Sequence, residues 1–524
     1  MEAWVYIKGG LQRTDERIAL LKRAKAAGCS GVFLADILLG VPSALTSDPF
    51  RARLRRLLDA AAEFDLRVVL STIGVGWSPD ALAAEPNLAE AQPVTARVVV
   101  SADGRSVVPA AALLSFAGDF SSLKPWVTSD KGERIRFDAP HLGAQSVAFD
   151  VGSRPASLST TLETRAGAQY HVSWWAKTEG FAGPANVRVS DAFGQLFWFD
   201  KNVMPAAPTQ GWTRYDYAFI ARGPTTLTVA MSGPAEGVVW FDSFAVEETA
   251  LVNVVRRAGA PLKLRDPAKH RTCLEVADYL VAGEPGGMGG TFRPWHPPQT
   301  LAVQPGSTLR PGQRLDLTYY ATTPVYWNGA TSQNSVCLTD PAALQWVDDV
   351  VAGLAGLPAW GVLAGYDEIR HGFTCASCTG SGHATPGALL AWHIDRTLGK
   401  LRAALPGARQ MLWSDMVGGH NERAMGFHVA GSWLGASKGV PAGAVILNWE
   451  RKGDAEAVAA LKHYRDAGLE QWVAGYYDTG DGAKAAKQER AWQEAAGVSV
   501  PAMVYTTWRD DYRELESYVA GVLG

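Results

Sequence analysis

The fold class expected from the sequence is α/β, an eightfold (β/α) TIM barrel interrupted by an inserted antiparallel β-sandwich of jelly-roll type. Three observations predict it. Short apolar runs alternate with amphipathic stretches of helical length at both ends of the chain, a long region of period-two alternation separates those ends, and the later apolar runs each close on acidic or aromatic residues. With 524 residues, a hydrophobic share of 47% and a net charge of −3, the chain can bury a large core and more than one domain.

The first part of the barrel is expected over 1–93. WVYIKG is followed by a helical stretch from Thr14 to Ala27, then GVFLAD, a second helical stretch from Pro49 to Phe64, and RVVLSTIG. Short apolar strands separated by helices of this length indicate a parallel sheet covered by helices. The inserted sandwich is expected over 94–251, where AQYHVSWWAKTEG, ANVRVSDA, TRYDYAFIA, TTLTVAMSG and GVVWFDSFAVEE alternate apolar and polar residues between turn residues. The remainder of the barrel is expected over 252–524. A Pro/Gly-rich connection, EPGGMGGTFRPWHPP, leads to RLDLTYYATT, a helix from Asp340 to Leu354 and GVLAGYDEI; further strands follow at MLWSDM, AVILNWE, QWVAGYYD and AMVYTTWRDD, with helices from Pro386, Asp454 and Ala483 between them. Nine candidate strands compete for eight places, so one of the first four is misread or lies outside the ring.

Composition narrows the function class. Balanced charge gives no nucleic-acid surface, and no stretch has the length of a membrane span. Nineteen Trp and fifteen Tyr are many, and aromatic faces suit the C–H faces of sugar rings as well as they suit cores. The start, MEAWVYIKGG, lacks the basic and apolar regions of a secretory signal, and five Cys are too sparse for a disulfide scaffold. A cytoplasmic location is the simpler expectation, although a chain trimmed of its leader would look the same.

The candidate site lies at strand ends. Asp367 and Glu368 close the run GVLAGYDEI, where one carboxyl can act as proton donor and the other as a fixed charge; the competing reading is a surface carboxylate paired with Arg370. The later strands end in Trp413 and Asp415, in Asn448, Trp449 and Glu450, in Tyr476, Tyr477 and Asp478, and in Trp508 and Asp510. In a barrel such ends surround one axial pocket. Asp36, Trp77, Trp295 and His296 are further candidates for its wall, the last two equally for loop anchors. In HGFTCASCTGSGH, His371, Cys375, Cys378 and His383 have the residue types of a zinc set, against the plainer reading of free thiols or a facultative disulfide. His371 is also placed to touch substrate or tune the acid beside it.

Over Gly361 to Asp511 the order of Asp-Glu, Trp-x-Asp, a Trp-bearing strand, Tyr-Tyr-Asp and Trp-Arg-Asp resembles the C-terminal half of the glycoside hydrolase family 20 β-N-acetylhexosaminidases. The insert, with AGDF, GAQSVAFD, YHVSWWAKTEG and VWFDSFAVEE in order, resembles carbohydrate-binding jelly rolls, some of which bind glycans while others only buttress an enzyme. The first resemblance implies exo-acting, substrate-assisted hydrolysis with retention. Glu368 then protonates the glycosidic oxygen, Asp367 accepts from the acetamido N–H, Tyr476 donates to the acetamido oxygen, Trp449 and Trp508 wall the acetyl group, Asp478 sits beside the tyrosine, and Asp510 holds outer hydroxyls. Ala364-Gly365-Tyr366 departs from the family's His-x-Gly-Gly, and no strand-one Arg is found. Asp415, His420 and Asn421 in SDMVGGHN could replace its hydroxyl contacts, with a slight lean to N-acetylgalactosamine over N-acetylglucosamine. No cofactor is implied, and the expected partner is a small glycan or glycoconjugate. Alternatives are a covalent intermediate on Glu450 or Asp478, and a glycan-binding barrel without catalysis.

Overall fold

The computed structural model describes all of the chain except residues 111, 130–134, 139, 144, 151, 153, 193, 200–206, 232, 282–291, 325–332, 419–427 and 451–452, and the side chains of 80 and 194–199. Eight parallel strands hydrogen-bond in a closed ring. In chain order they are β1 (Glu2–Lys8), β2 (Gly31–Ala35), β3 (Arg67–Thr72), β4 (Gly361–Ala364), β5 (Arg409–Trp413), β6 (Val445–Asn448), β7 (Glu470–Tyr476) and β8 (Ala502–Thr506).

The expected fold class nonetheless needs correcting. Strand outweighs helix, 35% against 27%, and a regular eightfold strand-helix repeat broken by one sandwich is not what the chain forms. Between β5 and β6 the regular structure of the described residues is a short 3-10 turn, Ala436–Gly439, and His428–Val429, which pairs with His371–Gly372 of the β4–β5 connection. Most strands lie outside the ring. A sandwich of a five-stranded and a six-stranded sheet occupies Ala112 to Thr249, and a further eight-stranded antiparallel sheet joins strands on both sides of it, including Gln92–Val100 and Arg314–Ala321. RLDLTYYATT is therefore the surplus ninth strand: Arg314 pairs with Val99 and Ala321 with Gln92, antiparallel, and the ring resumes only at Gly361. Alternation in its burial, apolar Leu315, Leu317, Tyr319 and Ala321 inward, marks a half-solvated antiparallel strand, whereas the ring strands are buried on both faces.

Local chemistry explains where the helices begin. Asp340 accepts from Ala342 N at 3.0 Å ahead of α1 (Pro341–Leu354), Thr385 caps α2 (Pro386–Ala404) through Ala388 N at 3.1 Å, and Asp481 caps α3 (Gly482–Ala496) through Lys484 N at 2.9 Å. Inside the ring, Trp4, Phe33 and Trp472 pack with centroids 5.0–6.3 Å apart and fill one end, so the barrel interior is a packed core there.

One buried carboxylate ties the helix layer to a site strand. Glu489 of α3, 0% exposed, accepts from Tyr476 N at 2.9 Å and from Tyr518 Oη at 2.7 Å, and no side chain fits at Gly475, where a Cβ would sit 1.9 Å from Glu489 Oε2. Glu489→Ala is expected to destabilise the fold by about 2–4 kcal/mol in urea unfolding, because it removes an acceptor from the buried Tyr476 N and from Tyr518 Oη and leaves a cavity.

Candidate functional site

Strand parity aims the site. The inward residues of β4 to β6 and β8 fall at 363, at 411 and 413, at 445 and 447, and at 502 and 504. Two residues further along at Asp415 and Trp449, and four further along at Asp367 and Trp508, the same parity brings these side chains into one pocket of about 440 Å³ at the carboxyl ends of the strands. Tyr6 of β1 and Trp413 of β5, with centroids 5.6 Å apart, are among its lining residues, as are Trp77, Glu368 and Tyr477. Tyr477 stacks on Trp449 at 5.7 Å and 6°.

Asp367 and Glu368 stand together but in different surroundings. Glu368 turns the backbone through a left-handed φ of 41°. Its Oε1 accepts from Arg370 Nη2 at 2.8 Å, and its Oε2 accepts from Trp77 Nε1 at 3.1 Å and Gln333 Nε2 at 3.2 Å. The Arg370 pairing raised as the competing reading is therefore present, yet the Glu368 side chain keeps 26% of its surface and lines the pocket. Asp367 is the group with the perturbed acidity: burial first, and the neighbouring Glu368 charge second, push its carboxyl up to about 7. Asp415 is fully buried, with Trp449 Nε1 donating to Oδ2 while Oδ1 has no hydrogen-bond partner among the described residues; burial, then the Asp367 charge, push it well above the usual carboxylate range.

Close approach of two loops supports the pair. At Gly76 a Cβ would lie 1.7 Å from the Asp367 carbonyl oxygen, so only glycine lets the loop after β3 carry Trp77 against Glu368. Gly76→Ala is expected to lower any turnover at least about tenfold by displacing that wall, read as kcat/KM beside a circular-dichroism check of the fold.

Several expected site residues are elsewhere. Tyr476 is not in the pocket: it stacks on Tyr505 at 4.2 Å and 13° in the outer layer. Left-handed φ values of 62°, 52° and 58° at Tyr476, Tyr477 and Asp478 break the alternation, which turns Tyr477 inward in its place. Asp478 spends its oxygens on Thr507 Oγ1 at 2.6 Å and Trp508 N at 2.8 Å, so it shapes the turn that presents Trp508 and is not a free nucleophile. Asp510 is held by Arg17 at 2.8 Å and Arg13 at 2.9 Å, which keeps its carboxyl below the usual range and binds it to the helix after β1. Asp36 reaches the pocket edge, but its oxygens accept from Leu38 N and Leu11 N, both at 2.9 Å. Glu450 is not among the lining residues.

His371 is buried and stacked on His428 at 4.9 Å and 5°, away from the pocket; burial and that neighbour push its imidazole well below the usual range. His383 packs near Trp392 at 5.3 Å. Neither joins Cys375 and Cys378, whose neighbours are Cys337 and Glu90, so the two-Cys, two-His set weighed against plain thiols is not formed. Trp295 stacks on His171 of the sandwich at 3.6 Å and the buried His296 accepts from Asn253 N at 2.9 Å, which makes both loop anchors. His420 and Asn421 lie outside the described residues. Reasoning from sequence missed Tyr6, whose place in the period-two run of β1 would have revealed it, and Gln333, for which no signal existed.

No family model matches the chain, and no curated protein does. The family 20 resemblance therefore stands on the quoted residues alone. Among solved structures, the chain is similar to the carbohydrate-binding module TmCBM61 in complex with β-1,4-galactotriose, at 24% identity over 25% of this chain and 90% of that one, TM-score 0.20. It is similar also to a family 16 carbohydrate-binding module, at 12% identity over 26% and 99%, TM-score 0.21. The CBM22-1 xylan-binding domain of Paenibacillus barcinonensis Xyn10C gives 16% identity over 27% and 96%, TM-score 0.21. The likeness is to carbohydrate-binding modules over about a quarter of the chain, and scores this low carry no argument about the barrel. Among the described residues no helix is long and apolar enough to cross a membrane.

Proposed function

We propose that the barrel-mouth pocket binds a terminal β-linked N-acetylhexosamine of a small glycan and removes it by substrate-assisted, retaining hydrolysis. The supporting observation is the adjacency of Asp367 and Glu368 on the wall of a pocket whose axis is lined by Trp413, Trp449, Tyr477 and Trp508. Asp367 lines the pocket close enough to Tyr6 and Asp415 to interact with them, and there it would receive an acetamido group, while Glu368 accepts from Trp77 on the wall, where a leaving group would depart.

Asp367 and Glu368 act in this reading as a pair that shares one proton. In the free pocket the proton rests on Asp367, raised to about 7, while Glu368 faces Arg370. An acetamido N–H hydrogen-bonded to Asp367 favours its ionised form, and the proton then belongs to Glu368, which gives it to the glycosidic oxygen. The acetamido oxygen attacks C1, the ionised Asp367 steadies the positive oxazoline, and Glu368 takes a proton from the water that opens it. A doubly ionised pair has no proton to give. Activity is therefore expected to fall about tenfold per pH unit above about 7, measured as kcat/KM against pH.

The covalent alternative loses both of its named nucleophiles, since Asp478 is engaged by the Thr507–Trp508 turn and Glu450 does not line the pocket. The proposal is for the 2-acetamido class as a whole, because of the residues that would read O4 only Asp415 is described. A second reading, glycan binding without catalysis, is favoured by the Arg370–Glu368 ion pair, which engages the carboxylate that the first reading uses as its acid. Chromogenic glycosides with and without the 2-acetamido group test the choice. Turnover confined to the 2-acetamido set supports substrate assistance, equal turnover of plain sugars removes it, and binding without turnover of any leaves the non-catalytic reading.

A further inference from the structure

Three thiols and one carboxylate converge where the chain leaves the barrel and where it returns. Cys337 Sγ lies 3.6 Å from both Cys375 Sγ and Cys378 Sγ, and Cys378 Sγ lies 3.3 Å from Glu90 Oε2. All four ligand atoms fall within 4.8 Å of one another, and all four residues are buried. A disulfide needs sulfurs about 2.0 Å apart, so none of these sulfur pairs is bonded. Four ligands around a tetrahedral cation with metal–sulfur bonds of about 2.3 Å stand about 3.8 Å from each other, close to the spacing found.

The surroundings match a ligand set held in place. Glu90 Oε1 accepts from Thr374 N at 2.8 Å, Thr374 Oγ1 at 2.8 Å and Cys375 N at 3.0 Å, which leaves Oε2 turned to the sulfurs. Thr339 Oγ1 donates to Cys378 Sγ at 3.3 Å. Arg257, close enough to interact with Cys337, Cys375 and Glu90, supplies positive charge and is itself paired with Asp340 at 3.0 Å. Partners of this kind fix ligand orientation in known metal sites.

We propose that Glu90, Cys337, Cys375 and Cys378 bind one thiophilic divalent cation, zinc by the chemistry of the donors, in a closed four-ligand structural site. On binding, the three thiols release their protons to solvent and the carboxylate binds as its anion; the cation and Arg257 offset most of the charge of the four ligands. With every position taken by protein, the metal has no place for a reacting water. Its role is to close the chain: Glu90 and Cys337 bracket the whole insert, while Cys375 and Cys378 hold the loop that follows Glu368. Backbone pairing of Glu90 N with Ser335 O and of Cys337 N with Leu88 O, both at 2.8 Å, runs beside the cluster. Gln333, four residues ahead of Cys337, is thereby kept on the Glu368 carboxylate.

Metal analysis of the full chain, purified without chelator and then given zinc, tests the site. About one tightly held zinc per chain is expected, with a thiolate-to-cobalt charge-transfer band and the visible bands of a tetrahedral ion after cobalt exchange. Cys337→Ser should lower zinc affinity at least about tenfold, and Cys273→Ser, a buried thiol outside the cluster, should leave it unchanged. If Cys337→Ser does not fold, the wild-type metal content and cobalt spectrum decide alone. Stoichiometric metal with thiolate bands supports the proposal. Less than about a tenth of a metal per chain after zinc addition, or cobalt bound without thiolate bands, overturns it.

Discussion

Replacing Glu368 by Gln is expected to cut kcat/KM on a 2-acetamido glycoside with an alkoxide leaving group by about a thousandfold, while the dissociation constant for the sugar stays within a few-fold. The amide keeps the shape and the neighbours of the carboxylate but cannot deliver a proton to the glycosidic oxygen. The loss should shrink on aryl glycosides whose phenolate departs without protonation, so the size of the effect tracks leaving-group basicity. That slope separates a proton donor from a residue that only shapes the wall, for which all leaving groups would suffer alike. Kinetics on two aglycones and calorimetric binding of the free sugar measure it, with thermal denaturation as the control on folding. Unchanged turnover in the Gln variant would remove Glu368 from the chemistry altogether.

How far the sequence reached is best seen in particular residues. Asp367, Asp415, Trp449 and Trp508 were legible because a strand's period of two continues past its end, and inward positions stay inward while the backbone remains extended. Tyr476 was misplaced for the complementary reason: three successive left-handed residues at 476–478 reset the alternation, and nothing in Tyr-Tyr-Asp announces them, since none is glycine. Asp36, Asp478 and Asp510 read as pocket acids from their position, but backbone amides, a threonine and two arginines claim them, partners distant in sequence whose approach only the fold determines. The same holds for the cysteines. Cys375-x-x-Cys378 was visible as half of a metal set, whereas Cys337 and Glu90 are brought to it by the return of the chain from the insert. The regular strand-helix repeat was overread because the apolar runs fix the ring strands but not what connects them, and Arg314–Ala321, the surplus ninth run, has its place beside Gln92–Val100 in a sheet built from both flanks of the sandwich.

Asp367→Asn should cut turnover severely and at the same time make the protein more stable at neutral and alkaline pH. The folded carboxyl titrates near 7 against an ordinary value of 3.8, mainly because it is buried and secondly because of Glu368. A raised folded-state value means that protonation favours the fold: its contribution is complete below about pH 4, and it is lost as the pH rises through 7. The ceiling for that loss is about 4 kcal/mol, and water in the open pocket reduces it to about half. Asparagine resembles the neutral acid and carries no such penalty, so the variant and the wild type should melt together at pH 4 and diverge by pH 8, with the variant higher. Turnover should fall about a thousandfold on every 2-acetamido substrate whatever its leaving group, because an amide cannot balance the charge of the oxazoline. Parallel melting curves across that pH range would mean that Asp367 is already ionised in the folded protein, and the shared proton on which the pair depends would be gone.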